Sequence, residues 1–92
     1  MAVYSEKQVT AGLKSAVGWK KHGNEIRKTF VHDDFVRAMG FVQSLALLAE
    51  KMNHHPDIDI RWNKVTLTLS THSERGLTEK DFALAQKINT LV

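Results

Sequence analysis

No cysteine occurs among the 92 residues, which excludes disulfides, thiolate nucleophiles and cysteine-containing zinc sites. Any chemistry therefore falls to His, Asp, Glu or backbone groups. No apolar run approaches the roughly 20 residues that a membrane-spanning helix needs, and the N-terminal Met1-Ala2-Val3-Tyr4-Ser5-Glu6 lacks the apolar stretch of a signal peptide. A soluble, cytoplasmic protein is expected. Also missing are a Gly-rich phosphate loop, a nucleophile elbow, a His-Glu-x-x-His run, an internal repeat and a low-complexity tract. The net charge of +3 is modest, and Glu25, Asp33, Asp34, Asp57, Asp59 and Glu74 interleave with the Lys and Arg residues. Without a concentrated basic stripe, direct nucleic-acid binding is not expected.

With 42% hydrophobic and 25% charged residues, the chain has the composition and length of a single domain, 1–92, with one core and no separate cofactor domain. Ser5-Glu6-Lys7-Gln8 has the form of a capping box, and Val9, Leu13, Ala16 and Val17 follow at helical spacing, predicting a helix from about Glu6 to about Ser15. Gly18 breaks it. The turn-forming His22-Gly23-Asn24-Glu25 lies between Trp19-Lys20-Lys21 and Ile26 to Val31, which suggests a hairpin with partial alternation. From Asp33-Asp34 a long helix runs toward Pro56, with Phe35, Met39, Val42, Ala46, Ala49 and Met52 along one stripe, broadened by Val36, Leu45, Leu47 and Leu48. Gly40 inside it suggests close packing of another element.

A second, clearer hairpin follows. Ile58, Ile60 and Trp62 alternate with Asp59 and Arg61, and beyond Asn63-Lys64 the series Val65, Leu67, Leu69 alternates with Thr66, Thr68, Ser70. Thr78-Glu79-Lys80-Asp81 resembles a capping box, and Phe82, Ala85, Ile88 and Val92 give a final helix. The order α-β-β-α-β-β-α favours an α+β fold: a four-stranded antiparallel sheet with three helices packed on one face. Exposed strand edges and the broad apolar face of the long helix predict a symmetric homo-oligomer.

Three of the five histidines, His54, His55 and His72, fall between Glu50 and Asp81. Histidine donates or accepts a proton near neutral pH, so three that converge suggest a site needing an acid and a base. His54 and His55 before Pro56 also fit a helix stop, and His72 continues the polar parity of Thr66, Thr68 and Ser70. Glu50, four residues before His54, shares its helix face and can orient its ring, or is an ordinary surface acid. Trp62 is either a flat wall for a ligand ring or a strand residue packed on the sheet. Asp81 contacts substrate or serves its capping box. A metal is not expected, because adjacent His54 and His55 cannot share the i, i+4 geometry of a helix-borne pair.

Glu50-x-x-x-His54-His55-Pro56, with Trp62, His72 and Asp81 at their spacings, closely resembles the signature of the pterin-4a-carbinolamine dehydratases. The resemblance extends to Val17-Gly18-Trp19, Phe35-x-x-Ala38, Gly40-Phe41 and Gly76-Leu77-Thr78, and so covers most of the chain. It implies three helices on a four-stranded sheet, with dimers through extended sheets and tetramers through helices. It implies dehydration of 4a-hydroxytetrahydropterin to quinonoid dihydropterin without a cofactor or metal, recycling the pterin of an aromatic amino-acid hydroxylase.

On this sequence the resemblance makes His54, His55 and His72 the catalytic set, with His54 as base and His72 assisting departure of the hydroxyl. Asn53, Ser70, Thr71 and Ser73 would join them in lining the pterin, supported by Glu50, Trp62 and Asp81. Asn53 often appears as Asp in the family and Ser73 often as Glu, which alters the charge around the histidines. Some relatives are instead binding proteins, one stabilising dimers of a homeodomain transcription factor, and others resemble assembly factors. That alternative would use the apolar long helix, especially Phe41, Leu45 and Leu48.

Overall fold

A computed structural model describes residues 2–92. Its elements are α1 (Glu6–Ser15), β1 (Lys20–His22), β2 (Glu25–Val31), α2 (Phe35–Met52), β3 (Asp57–Arg61), β4 (Lys64–Leu69) and α3 (Glu79–Asn89), with a 3₁₀ turn at His72–Glu74. The four strands form one antiparallel sheet in the order β1-β2-β4-β3, giving the expected α+β architecture. Both reciprocal capping boxes form, Ser5 with Gln8 on α1 and Thr78 with Asp81 on α3, and each satisfies backbone donors that a helix start leaves orphaned.

The core follows from strand parity. Ile26 and Phe30 of β2 and Val65, Leu67 and Leu69 of β4 are buried on one sheet face in a single cluster with Val9, Leu45, Phe82, Leu84 and Ile88 of the helices. Truncating any of the fully buried Leu or Ile side chains to Ala is expected to cost about 2–5 kcal/mol. Helix α1 approaches α3 so closely that a Cβ on Gly12 would lie 2.7 Å from the Phe82 ring. The turn between β1 and β2 holds Gly23 at φ 62, a conformation glycine adopts without steric cost.

Lys28 explains the partial alternation of β2, because it occupies a core-face position between Ile26 and Phe30. Its ammonium lies over the Phe30 ring and donates to Val17 O at 3.0 Å and to Asn89 Oδ1 at 2.9 Å. Asn89 also accepts from Trp19 Nε1 and donates to Val17 O, so one side chain fastens the end of α3 to the first hairpin. Partial burial lowers the Lys28 pKa below the ordinary lysine value.

The structure departs from several sequence expectations. The buried stripe of α2 is Ala38, Phe41, Leu45 and Ala49, while Phe35, Val36, Met39, Ala46 and Leu47 are exposed. A helix apolar around much of its circumference does not by itself reveal which arc faces the sheet. Phe41 (6% exposed) and Leu45 (0%) are consequently core residues, unavailable as a binding surface, and Leu48 is half-buried. Ile58 and Ile60 share the face of Leu67 and Val65, yet remain exposed because β3 is the sheet edge. Val92 lies beyond α3 and is exposed, and a Cβ on Gly40 would meet nothing within 4 Å, so nothing in this chain packs closely there. Among the described residues no helix is long and apolar enough to cross a membrane.

Candidate functional site

Helix α2 ends through Asn53, which adopts the left-handed conformation (φ 49), and not through proline. Asn53 N donates to Glu50 O and His54 N donates to Ala49 O, the paired bonds of a Schellman motif. Asn is the side chain that tolerates this conformation best after glycine. The reversal turns His54 inward and leaves His55 outside. The helix-stop reading of the two histidines is thereby replaced: Asn53 makes the stop, and the histidines follow it.

His54 is 8% exposed, and its Nε2 lies 2.5 Å from Oδ1 of Asp81, which is fully buried. The other carboxylate oxygen of Asp81 accepts from Thr71 Oγ1 at 2.8 Å and from Thr78 N at 2.9 Å, and the Thr71 and Thr78 hydroxyls are 2.7 Å apart. Asp81 thus closes the capping box of α3 and holds the His54 ring with the same carboxylate. Since a carboxylate accepts hydrogen bonds, Nε2 is a protonated ring nitrogen, and in the neutral ring Nδ1 is then the lone-pair acceptor. Nδ1 has no partner among the described residues. A buried polar cluster with its members mutually bonded fixes ring orientation without the cost of unpaired polar atoms.

Glu50 does not orient His54. Its Oε1 lies 2.7 Å from His55 Nε2 on the exposed side, because the left-handed Asn53 swings His54 off the helix face that Glu50 shares. Trp62 is also not where the sequence suggested. It sits in the two-residue turn joining β3 to β4, with φ 51 and 65% exposure, not packed on the sheet and at the far end of β3 from His54 and His55. Pro56 and the five residues of β3 separate it from His55, about 20 Å along the sheet. The strand ends at Leu69, and Thr71 forms an isolated bridge with Gly76, so His72 begins the 3₁₀ turn instead of continuing the strand parity. His72 and Ser73 are exposed.

His72 lines a cavity of about 490 Å³ together with Ser70, Arg75 and the hairpin residues His22, Gly23, Asn24 and Glu25. One step beyond the β2–β4 pair Ile26↔Leu69, Glu25 lies alongside Ser70, and β1 sets His22 opposite Glu25. On its other side β4 pairs with β3 from Asp57↔Thr68 onward, and His55 lies two residues before that pairing begins. His54 and His55 precede the strand that flanks β4 on one side, while the cavity holding His72 lies toward the β1–β2 hairpin, and neither His54 nor His55 is among its lining residues. Sequence reasoning missed His22 and Arg75; no periodicity flags a hairpin tip, and only the pairing of β2 with β4 puts that tip beside Ser70. Among the described residues no three His, Asp or Glu side chains gather in a way that could hold a metal ion.

Sequence and fold are both shared with known proteins. The family model described as pterin 4 alpha carbinolamine dehydratase matches residues 2–91. A protein of Roseiflexus castenholzii is 50% identical over 91 residues, covering 99% of this chain and 98% of its own. One of Mycobacteroides abscessus is 45% identical over 92 residues, covering 100% and 98%. Both carry the name "Putative pterin-4-alpha-carbinolamine dehydratase". A crystal structure from Brucella melitensis, described as a transcriptional coactivator/pterin dehydratase, superposes with a TM-score of 0.93 at 38% identity over 97% of both chains. A pterin dehydratase-like protein described as a RuBisCO assembly factor in the alpha-carboxysome gives a TM-score of 0.71 at 25% identity, covering 84% of this chain and 92% of its own. From the match along nearly its whole length and the shared fold, this chain belongs to the pterin 4 alpha carbinolamine dehydratase family.

Proposed function

We propose that the protein is a hydro-lyase that converts 4a-hydroxytetrahydropterin to quinonoid dihydropterin and water. The observation that carries this reading is the His54–Asp81 pair, a ring held with Nε2 on a buried carboxylate, so that the neutral ring has its lone pair at Nδ1. Elimination needs a proton removed from a ring nitrogen as the new double bond forms, and a proton delivered to the departing hydroxyl, which leaves as water. His54 Nδ1 is the base, and His72, exposed at the cavity mouth, donates to the hydroxyl. His55, steadied by Glu50, orients the ring, with Asn53, Ser70, Thr71 and Ser73 around it. The elimination is redox-neutral, so these residues suffice without a redox cofactor. An aromatic amino-acid hydroxylase is the enzyme class that would generate such a substrate.

The test is to add the pure protein to freshly generated 4a-hydroxytetrahydropterin and follow dehydration by ultraviolet absorbance. Acceleration that disappears in His54→Ala and His72→Ala proteins that remain folded supports the reading; no acceleration overturns it.

The second reading is a protein-binding or assembly role, favoured by two structural relatives described as a coactivator and an assembly factor. Its surface would be the exposed Val36 and Leu47 of α2, not Phe41 and Leu45. We also propose that copies associate through the β3 edge, where Ile58 and Ile60 are exposed, and through this α2 face.

A further inference from the structure

We propose that Arg75 is a specificity-determining residue which, with His22, selects pterins whose C6 substituent ends in an anionic group such as a carboxylate or phosphate. The inference rests on the dehydratase reading and names the substrate class for that same site. The cavity that contains His72 extends past it to Arg75 and to the hairpin tip bearing His22, Asn24 and Glu25. The charged and titratable groups lining it are therefore His22, Glu25, His72 and Arg75. The single carboxylate among them, Glu25, already faces Arg27, with its oxygen 3.5 Å from the guanidinium. The Arg75 side chain has no hydrogen bond or ion pair among the described residues, so its five donors are free to meet a ligand.

The backbone adds a second observation. Arg75 holds a left-handed conformation, φ 58, as it closes the 3₁₀ turn with its N–H on His72 O. Glycine occupies that region at no steric cost, whereas an arginine there is strained. The turn gains nothing from the side chain, which is carried one turn from His72 and into the cavity wall. The pterin ring reacts at its bridgehead carbon beside the histidines, while its C6 substituent extends away from the ring. A neutral substituent leaves the guanidinium without a partner. A carboxylate or phosphate pairs with it through parallel hydrogen bonds, with His22 facing from the hairpin.

The experiment titrates wild type and Arg75→Gly with pterin-6-carboxylate and with 6-hydroxymethylpterin, following pterin fluorescence. Arg75→Gly is compatible with the positive φ, so the turn is retained. Wild type is expected to bind the carboxylate roughly fivefold more tightly, the ceiling for one solvent-accessible ion pair, and added salt should erode the preference. In Arg75→Gly the affinity ratio should fall to about one. Equal affinities in wild type, or a preference that survives Arg75→Gly, overturn this inference alone if dehydration of a neutral pterin is intact. Binding of neither pterin, together with no acceleration of dehydration, overturns the dehydratase reading and this inference with it.

Discussion

Replacing Asp81 by Asn isolates the electrostatic part of the site from its scaffold. The carboxylate receives three donors: Thr71 Oγ1 and Thr78 N on one oxygen, His54 Nε2 on the other. An Asn side chain has the same shape, and its single carbonyl oxygen can keep the two threonine contacts and hence the start of α3. Its amide then faces His54 Nε2 and donates, so the ring must present a lone pair at Nε2 and carry its proton on Nδ1. Stability should fall by only about 1–2 kcal/mol, the difference made by one charge-assisted bond, as read by urea unfolding. Asp81→Ala should cost about 3 kcal/mol, since it also removes the cap and leaves the buried Thr78 N–H unpaired. The dehydration rate of Asp81→Asn should drop about 100-fold, the low end of what a positioned base supplies, because the wrong tautomer is stranded. Nitrogen-15 NMR of the imidazole should report Nε2–H in wild type and Nδ1–H in the variant. A folded Asp81→Asn protein dehydrating at the wild-type rate, or Nδ1–H in wild type, would refute the assignment of His54 as an Asp81-oriented base.

Four further outcomes are expected. Asn53→Gly should leave stability nearly unchanged, whereas Asn53→Val should cost about 1–2 kcal/mol in urea unfolding, because a β-branched residue is strained at φ 49. Asn89→Ala should cost about 1–2 kcal/mol, since Nε1 of the buried Trp19 and Nζ of the partly buried Lys28 each lose an acceptor. Burial lowers the Lys28 pKa, so the unfolded chain holds this proton to higher pH; stability relative to Lys28→Met should rise as pH climbs toward 10.5, measured by thermal melts at alkaline pH. Ile58→Lys at the exposed β3 edge should lower the particle mass measured by light scattering, and an unchanged mass would remove β3 from the self-association surface.

Local rules made much of this protein legible from its sequence. Ser5-Glu6-Lys7-Gln8 and Thr78-Glu79-Lys80-Asp81 place two helix starts, because capping boxes act over four residues. Val65, Leu67 and Leu69 reveal a strand, because side chains alternate between its faces. The spacing from Glu50 to Asp81 likewise identified the family. What required the tertiary structure is which groups meet. Asn53 rotates His54 off the helix face, so Glu50 goes to His55 and the carboxylate behind His54 comes from a helix 27 residues later. The arc of α2 that is buried, the exposure of Ile58 and Ile60, and the arrival of His22 and Arg75 beside His72 depend on sheet order and strand register. Sequence periodicity encodes the face a residue occupies within its own element; contact between elements is decided by long-range packing, which no local pattern carries.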